Sequence, residues 1–166
     1  FMNTSRLDLY VDYLISPFGA TTATGLSSLL DGEVSHDKIT RLLAGPSLTS
    51  MDLWLLVKPQ VRQLENEEGV LILDDRISHK PFTDENEIIC WHSDHATGRT
   101  VKGINFIKAL YHCGEASLPI GVQWVAKTEY YLDPTDGREK RRCPVGKNQY
   151  CRELIAPAVH HQIGFN

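Results

Sequence analysis

Over the first part of the chain, apolar residues recur at helical spacing. Leu7, Val11, Leu14 and Ile15 follow the i, i+4, i+7, i+8 pattern of an amphipathic helix, which Ser16-Pro17 closes and Gly19 leads away from. A second helix is predicted from about Thr22 to Leu30, ending at Asp31-Gly32. A third starts at Ser35, a good N-cap, with Asp37 in its first turn, Ile39, Leu42 and Leu43 as its apolar face, and Ala44-Gly45-Pro46 as its stop. A fourth starts near Ser50, turns Leu53, Leu56, Val57, Val61 and Leu64 inward, and should kink at Pro59. The second and third, joined by Asp31-Gly32-Glu33-Val34, have the length and turn chemistry of a helix-turn-helix, whose exposed face would present His36, Lys38, Thr40 and Arg41. An ordinary helical hairpin has the same signature, and the pattern does not separate the two.

The period changes after the charged linker Glu65-Asn66-Glu67-Glu68-Gly69. Val70-Leu71-Ile72-Leu73 is a continuous apolar run ending in Asp74 and Asp75, which suits a strand buried on both faces in the middle of a sheet. A long excursion follows. Val101 to about His112 and Ser117 to about Thr128 then read as two strands joined through Cys113-Gly114-Glu115-Ala116. Asp133-Pro134-Thr135-Asp136-Gly137 is a turn, and Lys147 to about Ile163 has helical character, with Tyr150, Leu154 and Ile155 on one side and a break or kink at Pro157. The expected fold class is α+β: an all-helical domain over 1–68, then three strands and a helix over 69–166.

Composition adds limits. The 166 residues are 42% hydrophobic and 23% charged, as in ordinary globular chains. The longest apolar runs fall far short of the ~20 residues of a membrane span. A formal charge of −4 does not mark a nucleic-acid binder, but the charge is unevenly placed. Arg138, Lys140, Arg141, Arg142, Lys147 and Arg152 stand together with only Glu139 among them, and a local basic segment can hold phosphate whatever the net charge. As a charge run it reads equally well as a solvated loop. The four cysteines form no C-x-x-C pair, and no apolar signal segment opens the chain, so a reducing, cytoplasmic setting is expected.

Two clusters carry candidate chemistry. Carboxylates at the end of a buried strand are costly unless they meet a cation, an arginine or a helix terminus, and hard divalent cations take carboxylate oxygens. Asp74 and Asp75 are therefore candidates for metal-assisted phosphoryl transfer; the plainer reading has them end the strand and face water. Cys90-Trp91-His92-Ser93-Asp94-His95 offers the ligand types zinc prefers, but the single residue between Cys90 and His92 is a poor match to structural zinc spacing. Structural histidines at a hairpin rim outweigh it, and a zinc-stabilised interaction module on Cys90, His92 and His95 stands as an alternative.

In this order the pieces resemble the bacterial insertion-sequence transposases of the cut-and-paste DDE type. The resemblance covers nearly the whole chain. It is carried by Leu7–Leu14, Thr21–Leu26, Ser35–Arg41 and Gly69–Asp75, and most strongly by Trp91-His92-Ser93-Asp94-His95 leading through Gly98-Arg99 into Val101-Lys102-Gly103-Ile104-Asn105, with Lys147-Asn148 beyond. It implies an N-terminal helical DNA-binding region and a ribonuclease H-like catalytic domain, of which 69–166 would be the first half. It further implies two Asp and one Glu that hold Mg²⁺ for strand cleavage and transfer at the element ends. The first Asp would be Asp74, which takes the first place of the family's Asp-x-Thr/Ser, with Asp75 second; Arg76 stands where Thr or Ser is expected. Contacts to double-stranded DNA would fall to Lys38, Arg41, Arg138, Lys140, Arg141 and Arg142. The second Asp and the Glu would lie beyond Asn166. The expectation is therefore a truncated, catalytically incomplete transposase or transposase-derived fragment, with a sheet edge open to a partner chain or a second copy. A non-enzymatic DNA-binding or regulatory remnant is the alternative.

Overall fold

A computed structural model describes residues 4–16, 21–45 and 47–166. The breaks expected at Pro17, Gly19 and Pro46 lie outside the described residues. The chain divides into two compact units, Phe1–Ser47 and Leu48–Asn166.

The first unit holds α1 (Thr4–Ile15), α2 (Ala23–Leu29) and α3 (His36–Leu43). Its core is Tyr13, Leu26 and Ile39, flanked by Tyr10, Ala23, Leu30 and Val34. Leu14 and Ile15 of the expected α1 stripe are exposed, as is Val11; the two tyrosines turn inward instead. Thr22 caps α2 by accepting from the Gly25 N–H at 2.9 Å. Asp31 and Gly32, at φ 49° and 80°, make the left-handed turn between α2 and α3 that glycine tolerates best.

The second unit begins with α4 (Ser50–Leu64), followed by β1 (Val70–His79), β2 (Ile89–Asp94), β3 (Arg99–Cys113), β4 (Ala116–Trp124), β5 (Glu129–Leu132), β6 (Glu139–Arg142) and α5 (Lys147–His160). The boundary expected after residue 68 thus falls after Ser47. The reason is packing: Trp54 and Val61 of α4 are buried in the core of the sheet domain. A capping box between Thr49 and Asp52 opens α4, and α4 and α5 run on through Pro59 and Pro157. The inward face of α4 is Trp54, Val57 and Val61; Leu56, expected inside, is exposed, and Leu64 is partly so.

The fold is α+β, with antiparallel sheets of four and two strands rather than three strands in all. β3 is the spine. β1 pairs along one side of it, while β4 and β2 share the other side end to end. β1 is therefore not central: among the described residues it pairs with β3 alone, and it runs on through Asp74 and Asp75 to His79. Alternate residues of β3 point to opposite faces. Ile107, Ala109, Tyr111 and Cys113 join Ile120, Val125, Leu154, Ala158 and Ile163 in the core with α4 and α5, while Phe106 and Lys108 lie on the opposite, more open face. Helix and sheet approach closely at Gly121, where a Cβ would meet Ser50 Oγ at 2.7 Å and Leu154 Cδ2 at 2.8 Å. Past α5, Asn166 donates its N–H to the Gly69 carbonyl, and Tyr111 donates its hydroxyl to the Gly164 carbonyl at 2.8 Å. No helix among the described residues is long and apolar enough to cross a membrane.

Candidate functional site

The strand period separates the two aspartates. Asp74 sits opposite Lys108 and Asp75 opposite Ile107, so their side chains leave β1 on opposite faces. Asp74, the carboxylate expected to hold metal, lies on the open face, where its Oδ2 pairs with Lys108 Nζ at 3.0 Å. It does not meet Asp75 in one site.

Asp75 faces the helices. Its Oδ1 accepts from Asn105 Nδ2 at 2.9 Å and its Oδ2 from Lys147 Nζ at 2.5 Å. Asn105 is brought there by the inward register of β3, and Lys147 by its place as the first residue of α5. The amide of Asn105 is 1% exposed, and its Oδ1 has no hydrogen-bond partner. A buried polar atom left this way is uncommon and costs free energy. The three residues line a pocket of about 270 Å³, closed by Ser93, Asp94 and His95 from the end of β2 and the turn after it. Asp94 accepts from the Ala96 N–H and the Thr97 hydroxyl, which hold its carboxyl below the usual range.

His92 and Cys90 lie on the same face of the sheet, both buried, with Cys90 Sγ 3.3 Å from His92 Nε2. Burial, with Lys127 and Lys147 adding to it, lowers the His92 pKa to about 4, and burial raises that of Cys90. At neutral pH they form an uncharged pair inside the domain. His95 stands apart from them, exposed in the turn. Among the described residues no group of three His, Cys, Asp or Glu side chains gathers to hold a metal.

The basic segment is not a loop but the second strand of the β5–β6 hairpin. Two of its cations already have carboxylate partners. Lys140 joins Asp133 and Asp136, the latter at 3.0 Å, and Arg142 meets Glu129 at 2.9 Å. The Lys140 contact holds the Asp133 carboxyl far below its ordinary range. Arg141 lies over the ring of its cross-strand neighbour Tyr130, 5.0 Å from the centroid, and Arg138 is exposed; neither has an acidic partner among the described residues. A cleft of about 980 Å³ runs between this hairpin and β2, lined in part by Lys127, Tyr130, Arg138 and Arg141. In the other unit, Lys38 and Arg41 are exposed on α3, with Arg41 Nε donating to the Asp37 carbonyl at 3.2 Å.

The sequence reading named Lys147 in the basic run and Asn105 in a resemblance block, but joined neither to Asp75. Asn105 did leave a signal: it is the one amide in the inward series Asn105, Ile107, Ala109, Tyr111. Nothing local ties Lys147 to Asp75, because 72 residues separate them. Compared with protein-family models, curated proteins and solved structures, the chain shows no match.

Proposed function

We propose that the chain acts on DNA as a transposase or transposase-derived protein, with a ribonuclease H-like arrangement in its second unit. The observation that carries this reading is Asp75. It is a carboxylate in the middle of β1 that accepts from a buried amide whose own oxygen has no partner, in a pocket at the start of a helix. Antiparallel β1, β3 and β4 with α5 against one face are in keeping with the first half of such a domain. Carboxylate and amide oxygens are the ligand types Mg²⁺ takes, and Asp75 and Asn105 supply one of each; Asp94 adds a second carboxylate to the pocket wall. When bound, such a cation supplies charge for in-line phosphoryl transfer. Asp75 takes the role expected of Asp74. Arg76, one residue on along β1, also borders this pocket and with Lys147 brings positive charge to it.

Phosphate contacts fall to Arg138 and Arg141 of the hairpin, to Lys127 beside them, and in the helical unit to Lys38 and Arg41. A non-enzymatic DNA-binding role is the second reading. One contact favours it: the Lys147 ammonium already neutralises Asp75.

A labelled duplex titrated with the protein at several salt concentrations, with and without Mg²⁺, tests the shared core of both readings. Binding that weakens steeply with salt is expected. No binding at low salt overturns both.

A further inference from the structure

Strand alternation on β2 turns Cys90 and His92 into the domain and Trp91 out of it, so that Trp91 is 51% exposed. Trp91 borders the cleft of about 980 Å³ between β2 and the β5–β6 hairpin. The chain beyond β4 is tied to β2 there: Lys127 donates its backbone N–H to the Glu87 carbonyl at 2.7 Å and its Nζ to the Trp91 carbonyl at 2.6 Å. The ammonium is thus held beside Trp91, with N–H groups to spare. Across the cleft, Tyr130 is 56% exposed, and its cross-strand neighbour Arg141 lies over the ring. A guanidinium so placed keeps in-plane N–H groups for a phosphate, while its flat face is one on which a base stacks. The ion pairs of Lys140 with Asp133 and Asp136, and of Arg142 with Glu129, brace the hairpin and leave Arg138 and Arg141 as its available cations.

We infer that this cleft takes an unpaired stretch of DNA, with bases stacked on Trp91 and on the Tyr130–Arg141 layer and phosphates on Lys127, Arg138 and Arg141. The inference rests on the DNA-binding reading given above and narrows its ligand. Cations alone suit a duplex as well as a single strand; the rings decide between them. A paired base shows only its edge in a groove, so its face cannot reach Trp91. An unpaired base presents its face, and aromatic rings interleaved with cations are how proteins grip single strands. The charge balance points the same way. With Lys140 and Asp136 paired to one another, Lys127, Arg138 and Arg141 share the lining with Glu85 and Glu139. So small an excess of positive charge leaves the rings to set the preference for an unpaired strand.

Fluorescence anisotropy of the full chain against a labelled oligothymidine and a labelled blunt duplex of equal length tests this, with folding of each variant checked by circular dichroism. Trp91→Ala should weaken oligothymidine binding about tenfold or more, the scale of one lost base stack, and duplex binding far less. Trp91→Phe keeps a ring and should retain most of the single-strand affinity. It should also abolish the quenching of tryptophan emission that oligothymidine produces in the wild type. Tyr130→Ala should act as Trp91→Ala does, which guards against a local effect on β2. Unchanged single-strand affinity in both alanine variants, or an equal loss for strand and duplex, overturns the stacking cleft and leaves the DNA reading intact. Duplex binding without oligothymidine binding does the same. Absence of binding to either ligand at low salt overturns both.

Discussion

Acidification between pH 6.5 and about 4 should destabilise the second unit through His92. The side chain is 5% exposed, and its pKa is lowered to about 4, first by burial and then by Lys127 and Lys147. A backbone hydrogen bond with Gly103 and the Asp75 carboxylate pull the other way without winning. In the unfolded chain the ring takes a proton near pH 6.5, whereas in the fold it resists down to about pH 4. The unfolded state therefore binds more protons across this window, and stability falls as pH falls. Linkage gives a loss of about 2 kcal/mol between pH 8 and pH 5 from this one group. The measurement is urea denaturation at pH 8, 6.5 and 5, followed by tryptophan fluorescence. All three tryptophans, Trp54, Trp91 and Trp124, belong to the second unit, so the signal reports that unit. Depressed carboxylates such as Asp94 lose their contribution at lower pH and in both proteins alike, so the quantity to follow is the difference between wild type and His92→Gln. That difference should shrink in favour of the variant by about 2 kcal/mol from pH 8 to pH 5. A difference that stays constant within about 0.5 kcal/mol would refute the assignment of a neutral, buried imidazole.

Two further perturbations follow from close contacts and from charge pairing. Gly103→Ala would put a Cβ 2.3 Å from the Ser78 carbonyl across the β1–β3 pair. It should lower the urea midpoint by the equivalent of about 3 kcal/mol or more, the upper range of overpacking, and wild-type stability would show that the backbone gives way freely. On the hairpin, Arg138→Ala and Arg141→Ala should each reduce the salt slope of DNA binding by about 1. Lys140→Ala and Arg142→Ala should change it less, because Asp133, Asp136 and Glu129 already neutralise those cations. Equal effects at all four positions would show that the hairpin ion pairs open on binding.

The helices were legible because apolar periods and Gly and Pro breaks are local. Ser35 holds the expected N-cap place of α3 but makes no side-chain cap hydrogen bond, whereas Thr22 and the Thr49–Asp52 box, acting over three residues, were not expected as caps. Which face each helix buries was less legible: on α4 the pattern put Leu56 inside and passed over Trp54, and only the docking of α4 on the sheet reverses the two. The strands β1, β3 and β4 were read in the right order, but not their neighbours. β2 stayed hidden because Ile89–Asp94 mixes buried Cys90 and His92 with exposed Trp91 and Ser93, an alternation without aliphatic residues on its inward face. The place of Asp75 was half legible. Its neighbour Asp74 fitted a motif better in one dimension, yet a one-residue step on a strand is a change of face. Lys147 and Asn105 reach Asp75 from 72 and 30 residues away, and no local pattern carries that distance. The basic run was visible in composition, whereas the carboxylates that neutralise half of it come from the preceding strand and turn.

The proposed function turns on Asp75, and not Asp74, as the carboxylate that binds a divalent cation. Electron paramagnetic resonance of Mn²⁺ at millimolar concentration, comparing wild type with Asp75→Asn and Asp74→Asn, tests it most directly. The bound fraction should disappear in Asp75→Asn and persist in Asp74→Asn, which loses only its surface pair with Lys108. Loss of binding in Asp74→Asn with retention in Asp75→Asn would contradict it.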